Sequence, residues 1–375
     1  MKILYYYSQL NIGGAERSTV RLLNKFVEKG HAVTLLLRWD GGTLEHELSP
    51  KINRIHLKKS NGKPMSKCTQ VVETLKCRVR EMGLKKNEYD VVISGLFGYD
   101  PKILFKKIRA KQYYQLLRND VEKTGSYGKT ASYMERYGGA FDAYVGVSEY
   151  TTQSFCKCYP QYADRALTIY NILPDVPENI GPVPEIMSSG EGKLKILTVC
   201  RLADKAKGLF RMVRVCKALH EEFGDAFGWY VVGNGPDREE LSRQIADAGL
   251  SQTMILCGET NDPFVYYKGA DLVAVLSYYE GLCGVVNESK MMQKPVIATE
   301  FSGINEQLKD GYNGYIVSND ENSILQKMRE ILSDPDKIKQ FNINGMPEEL
   351  LSNDKKIVQY ETLFQKLEKG AVSGK

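Results

Sequence analysis

The sequence predicts an α/β protein with two parallel-sheet domains in tandem. Three observations carry this. Strand–loop–helix–strand units recur from the first residues onward. The pattern breaks at a proline-rich stretch, Asn171 to Gly192, and then restarts. A length of 375 residues also exceeds the roughly 250–300 at which one hydrophobic core stops growing.

The elements follow in order. Lys2 to Tyr7 reads as an apolar strand, and Ser8 to Gly14 as a loop ending in two glycines. A helix is expected from about Ala15 to Lys29, with Val20, Leu22, Leu23, Phe26 and Val27 on one stripe. Gly30 stops it, and Ala32 to Leu37 is the next strand. This β-loop-α-β unit builds a doubly wound sheet. Further strands are expected at Asp90–Ser94, Tyr113–Leu117, Asp142–Val147 and Arg165–Tyr170. Pro174, Pro177, Pro182 and Pro184 then mark a linker.

The second half repeats the scheme. Strands are expected at Leu194–Cys200, Trp229–Val232, Met254–Cys257, Leu272–Leu276 and Pro295–Ala298. Asp354 to Lys369 reads as a helix, with Ile357, Tyr360, Phe364 and Leu367 on one face. The reading is two Rossmann-like domains, 1–175 and 193–350, with a linker at 176–192 and a C-terminal helix and tail at 351–375. In such sheets ligands bind outside the carboxyl ends of the strands.

Composition narrows the classes. Hydrophobic residues make up 42% and charged residues 26%, as in ordinary globular proteins. The eight cysteines show no zinc or thioredoxin spacing and several lie in strand-like runs, so reduced thiols in a cytosol are expected. No signal peptide is recognisable, and no apolar run approaches the ~18 residues that span a bilayer. Charge is uneven. Residues 1–175 hold 28 Lys+Arg against 17 Asp+Glu, and residues 51–111 alone hold 16 against 5. A patch of this kind suits an anionic membrane surface, and is equally the pattern of a solvated basic face. Val71 to Arg80 has the make-up of a basic amphipathic helix. No nucleic-acid motif accompanies it.

Three motifs carry chemistry. In Tyr278-Tyr-Glu280-Gly-Leu-Cys-Gly284-Val-Val-Asn-Glu288, one carboxylate follows a buried strand and the second lies in the next helix. Gly281 and Gly284 allow a turn whose N–H groups face a ligand. The same spacing also describes a surface acid and a capping acid. Arg201 follows a strand and Lys207 precedes a glycine that opens a helix, an arrangement suited to a diphosphate or to a plain basic loop. Gly13-Gly14 precedes the first helix without forming G-x-G-x-x-G, so the nicotinamide fingerprint is absent from this loop. Gly233-Asn-Gly235 is a weaker glycine pair that also suits a turn.

Taken in order, these pieces resemble the retaining GT-B glycosyltransferases of family 4, the glycosyl transferases group 1. The resemblance runs through Gly13-Gly-Ala-Glu16, Val147-Ser-Glu149, Arg201 with Lys207, and Gly233-Asn-Gly235-Pro236. It continues through Asp271, Glu280 to Glu288, Lys294-Pro-Val-Ile-Ala298, Gly303-Ile-Asn-Glu306 and Asn313-Gly314. It implies two Rossmann-like domains facing across a cleft, with the C-terminal helix packed back on the N-terminal domain. It implies a nucleotide-sugar donor, expected to be a UDP-sugar, and no required metal or other cofactor. Arg201 and Lys207 would hold the diphosphate. Glu288 would bind the ribose, and Glu280 with the amides of Leu282, Cys283, Gly284 and Val285 would hold the sugar. Gly13, Gly14, Gly233 and Gly281 would complete the donor site. The acceptor would be a glycan or lipid-linked sugar of surface polysaccharide synthesis.

The chain departs from that family in places. A histidine usual after the strand Tyr113–Leu117 is replaced by Arg118-Asn119-Asp120, so Arg118 or Asn119 is expected at the acceptor. Leu282 and Cys283 stand where an aromatic and a glycine are usual. The rival readings are a nucleotide-sugar epimerase or hydrolase, and a non-catalytic sugar-nucleotide-binding subunit.

Overall fold

The structure, a computed structural model, describes the chain apart from residues 12, 60–78, 80–83, 85–87, 99–100, 123–125, 189–191, 342–347 and 373–375. The expected amphipathic helix Val71 to Arg80 lies outside the described residues, apart from Val79. The chain forms two compact units. One is Met1–Ile172 with Ser352–Lys375, and the other is Leu173–Leu351.

The first unit holds a seven-stranded parallel sheet. Its strands are β1 (Lys2–Tyr7), β2 (Ala32–Trp39), β3 (Asn53–Lys58), β4 (Glu88–Ser94), β5 (Arg109–Leu117), β6 (Ala143–Gly146) and β7 (Ala166–Thr168), in the order β3-β2-β1-β4-β5-β6-β7. The central strands are apolar because helices cover both faces. Ile3, Leu4 and Tyr5 of β1 are fully buried. The sequence pattern gives no sign of β3. It is an edge strand, Asn-Arg-Ile-His-Leu-Lys, whose alternating polarity gives no buried run. β7 is shorter than the expected Arg165–Tyr170.

The C-terminal helix Asn353–Val372 packs on this first unit. Ile357, Tyr360 and Phe364 are buried in its core. Phe26 meets Tyr360 edge-on at 5.5 Å, and Tyr114 stacks on Phe364 at 5.6 Å. Gln112 Nε2 donates to the Phe364 carbonyl at 3.1 Å inside the core.

The second unit holds six parallel strands: β8 (Leu194–Val199), β9 (Phe227–Val232), β10 (Met254–Gly258), β11 (Leu272–Val275), β12 (Val296–Thr299) and β13 (Tyr315–Val317). Their order is β10-β9-β8-β11-β12-β13. β13, three residues at an edge, is also absent from the sequence reading. Trp229 is fully buried, and its Nε1 donates to Thr198 Oγ1 at 3.0 Å. Thr198 passes the chain on to the Ala274 carbonyl at 2.9 Å, so one polar thread ties β9, β8 and β11. The expected linker contains a short helix, Glu185–Ser188.

Strand order reverses between β8 and β11, which pair directly through Leu272 with Ile196 and Val273 with Leu197. Such a switch point opens a crevice at the strand ends, because the helices that follow the two strands diverge to opposite faces. The segments leaving those ends are Cys200 to Gly208 and Leu276 to Cys283. They carry two of the motifs singled out in the sequence.

Candidate active site

Both segments are shaped by close backbone approach. Gly233 has φ 142°, and a Cβ there would lie 1.8 Å from the Cys200 carbonyl oxygen. Gly208 has φ 64°, and a Cβ would meet the Leu276 carbonyl at 2.6 Å. Only glycine permits either contact. Around them the loops lock together. Leu202 N–H donates to Asn234 O at 2.9 Å, and Tyr278 N–H to Ala206 O at 2.8 Å.

The end of β11 is held from beneath. Arg211, 1% exposed, donates through Nε and Nη2 to the Leu276 carbonyl. Its Nη1 reaches Asn319 Oδ1 at 2.6 Å. Asn319 Nδ2 donates to Tyr278 O at 3.0 Å, and Thr299 Oγ1 to Ser277 O at 2.6 Å. The Tyr278 ring covers the Arg211 guanidinium at 4.0 Å.

On this platform Lys207 Nζ meets Glu280 Oε1 at 2.5 Å, and Ser277 Oγ donates to the same oxygen at 2.7 Å. Burial alone would pull the Lys207 ammonium down, but the Glu280 carboxylate beside it outweighs burial and holds it above its ordinary range. Lys207 is therefore a cation at neutral pH. Thr198, Cys200, Lys207, Ser277, Glu280 and Cys283 line a cavity of about 20 Å³, room for one water. Burial pushes the Cys200 and Cys283 thiols up to about 12, so neither is a thiolate nucleophile at neutral pH. The Arg201 side chain is exposed and has no hydrogen-bond or ion-pair partner among the described residues.

Glu288 sits one turn along the helix Gly284–Met291. Tyr267, fully buried, donates its hydroxyl to Glu288 Oε2 at 3.1 Å. Burial, then the Glu288 carboxylate, raises the Tyr267 hydroxyl well above its usual range, so it remains a donor. Of the amides expected to face a sugar, the Cys283 N–H is taken by Gln307 Oε1 at 3.0 Å. The N–H groups of Leu282 and Gly284 have no acceptor among the described residues. Val285 lines the small cavity beside Lys207, and Gly281 lies in the turn that follows Glu280.

The remaining candidates lie in the first unit. Gly13 precedes the helix Gly14–Glu28, and the Glu16 carboxylate folds back over it, where a Gly13 Cβ would lie 2.3 Å from Oε2. Gly14 faces open space, so nothing in the fold demands its missing side chain. Arg118 turns inward: Nη1 donates to Ala15 O at 3.0 Å, and Nη2 to Tyr5 OH at 3.0 Å and Thr19 Oγ1 at 2.9 Å. Its guanidinium pins the first turn of that helix to the sheet. Asn119, the next residue, is exposed and without a partner among the described residues.

Tyr267 and Gln307 are not among the residues the sequence points to. A lone tyrosine or glutamine on an apolar helix face carries no spacing signal, and each acquires its role only through packing.

Comparison with known proteins agrees with the residues. Residues 184–346 match the family described as glycosyl transferases group 1. The chain is 22% identical over 351 residues, 92% of each chain, to a protein of Campylobacter jejuni. That protein is the GalNAc-alpha-(1->4)-GalNAc-alpha-(1->3)-diNAcBac-PP-undecaprenol alpha-1,4-N-acetyl-D-galactosaminyltransferase. The fold is similar to that of S. aureus TarM in complex with fondaparinux, alpha-GlcNAc-glycerol and UDP. There the TM-score is 0.74 at 14% identity, covering 97% of this chain and 99% of that one. It is also similar to Anabaena HepE in complex with UDP and glucose, with a TM-score of 0.71 at 16% identity over the whole of both chains. The fold is GT-B, and the chain is a glycosyltransferase. The segment that matches the group 1 family, residues 184–346, contains Arg201, Lys207, Glu280 and Glu288.

Proposed function

We propose that the chain is a retaining transferase that moves a sugar from a UDP-sugar to a glycan or lipid-linked acceptor in surface polysaccharide synthesis. The observation that carries this is the grouping of Lys207, Glu280 and the open amides of Leu282 and Gly284 at the β8–β11 switch point. Arg201, exposed and unpartnered among the described residues, supplies a second cation. A leaving diphosphate acquires charge as the glycosidic bond breaks, and fixed cations and amides stabilise that charge without reorganising. In this reading Lys207 and Arg201 meet the phosphates, Glu280 holds the sugar, and Glu288 takes the ribose hydroxyls. The donor phosphate oxygen assists removal of the acceptor proton, so the site supplies no separate nucleophile and the anomeric configuration is kept. Residues 1–172 carry the acceptor, with Asn119 free to contact it.

The relatives support the substrate classes. The Campylobacter protein is named for an undecaprenyl-diphosphate-linked acceptor and an alpha-linked product, and both solved neighbours were bound to UDP. Retention turns an α-linked UDP-sugar into such a product. The basic segment 51–111 suits a membrane carrying a lipid diphosphate. Among its described residues, Arg109 pairs with Glu88 and Lys111 with Asp90. No described helix is long and apolar enough to cross a membrane. Incubation of the protein with UDP-sugars and undecaprenyl-diphosphate-linked sugars, with the product anomer read by NMR, tests the proposal. An α-linked product is expected. A β-linked product, or UDP release with no acceptor requirement, contradicts it.

A further inference from the structure

The segment that bears Glu280 runs from the end of β11 to the start of the helix Gly284–Met291. Its first end is fixed by Arg211, Thr299 and Asn319. Its second end is fixed by one side chain from outside the motif. Gln307, at the end of the short helix Ile304–Gln307, grips the Cys283 residue on both sides. Oε1 accepts from Cys283 N–H at 3.0 Å, and Nε2 donates to Cys283 O at 2.7 Å. The second Nε2 hydrogen goes to Asn287 Oδ1 at 2.8 Å. Gln307, Asn287 and Cys283 are 1%, 0% and 4% exposed, so no bulk water substitutes for these bonds.

The orientation of the amides is determined by their partners. Turning Gln307 over would set its NH₂ against the Cys283 N–H, and turning Asn287 over would set its NH₂ against Gln307 Nε2. The arrangement leaves Asn287 Nδ2 without a partner. An unpaired buried donor is costly, and here it accompanies a clamp whose other donors and acceptor are all used. Holding both polar groups of Cys283 fixes the two peptide planes that flank it. One carries the Cys283 N–H, taken by Gln307, and the other carries the open N–H of Gly284.

We propose that Gln307 is a positioning residue for sugar transfer. It holds the Cys283 backbone so that the open amide of Gly284 and, through the turn before it, the Glu280 carboxylate meet the donor in one arrangement. This rests on the donor reading given above. Gln307 touches no reacting atom, and its effect passes through Cys283.

The test compares Gln307→Met, which has similar length and no hydrogen bonds, with Gln307→Glu. Each is assayed below its own melting temperature, with fold checked by circular dichroism. UMP and UDP binding is read by calorimetry. Turnover is read with UDP-N-acetylglucosamine, UDP-N-acetylgalactosamine and UDP-glucose. Gln307→Met is expected to lower kcat by about 10- to 100-fold, the scale of a misplaced reacting geometry. UMP affinity, which depends on Glu288, stays within about twofold. In Gln307→Glu the buried carboxyl group stays protonated at low pH and then donates to the Cys283 carbonyl. Turnover of Gln307→Glu is therefore expected near wild type at low pH and reduced as pH rises. Wild-type kcat in a folded Gln307→Met protein overturns the inference, as does an equal loss of UMP affinity and kcat. Failure of the wild-type protein to bind UMP or UDP overturns the donor reading first, and is seen before any variant is compared.

Discussion

Lys207 Nζ and Glu280 Oε1 lie 2.5 Å apart at the carboxyl ends of two neighbouring strands. The Glu280 carboxylate holds the Lys207 ammonium above its ordinary range. The pair joins the group proposed to meet phosphate to the group proposed to hold the sugar, so donor binding must rearrange it.

Glu280→Gln removes the charge that holds Lys207 above its ordinary range. The folded-state pKa of Lys207 is raised, so the pair's contribution is complete below the unfolded lysine value near ~10.4 and fades as pH rises beyond it. In the variant only burial remains, and Lys207 loses its proton at lower pH. UDP affinity of Glu280→Gln is expected to fall on the alkaline side well before that of wild type. Turnover falls by about 100-fold at pH 7. Titration calorimetry across pH reads the first, and transfer kinetics the second.

Tyr267→Phe removes a donor to Glu288 Oε2, together with the hydroxyl's hydrogen bond with Ser289. A hydrogen bond to a charged group is worth about 1.5–3 kcal/mol. UDP affinity is expected to drop by about tenfold, and the preference for UDP over its 2′-deoxy analogue to shrink, because Glu288 is less firmly placed. Calorimetry with both nucleotides checks this, and unchanged selectivity contradicts the positioning role of Tyr267.

Two glycine substitutions separate fold from site. Gly233→Ala puts a methyl 1.8 Å from the Cys200 oxygen at a positive φ, and several kcal/mol of destabilisation is expected. Gly14→Ala meets open space. Its melting temperature is expected to match wild type, and the donor role expected for Gly14 from the family resemblance predicts a fall in turnover. Differential scanning fluorimetry and kinetics on the two variants check both halves.

Lys356 is fully buried in the C-terminal helix, with Asn353 Oδ1 at 3.4 Å, and burial brings its ammonium down to about 7. The unfolded chain then holds more protons than the folded one between about 7 and ~10.4, so this residue makes stability rise with pH across that window. Lys356→Met is expected to raise the melting temperature at pH 7 by several degrees. It should also flatten the dependence between pH 7 and 9, as thermal melts in a pH series show.

The parts of this molecule that were legible in its sequence are those buried on both faces or forced into glycine. β1, β2, β8 and β9 are mainly apolar because helices cover both sides of a parallel sheet. The edge strands Asn53–Lys58 and Tyr315–Val317 were not legible, since one sits in a polar alternation and the other has three residues. Glu280 and Glu288 were visible through their spacing. Gln307 and Tyr267 act on them from separate helices, and no local pattern marks a side chain whose partner is brought to it by packing. Arg118 was expected at the acceptor from its place after β5. Its guanidinium points into the unit and anchors Ala15, Tyr5 and Thr19, a direction set by tertiary contacts alone.

The β8–β11 switch point is proposed to bind a nucleoside diphosphate sugar through Glu288, Lys207 and Arg201. A thermal-shift series of wild type and Glu288→Ala against UDP, GDP, ADP, NAD and a panel of UDP-sugars, without added metal, tests it directly. Stabilisation of wild type by UDP and one or two UDP-sugars, lost in Glu288→Ala, is the predicted result. Stabilisation by NAD, or by none of these nucleotides, rules out a sugar-nucleotide site at this switch point.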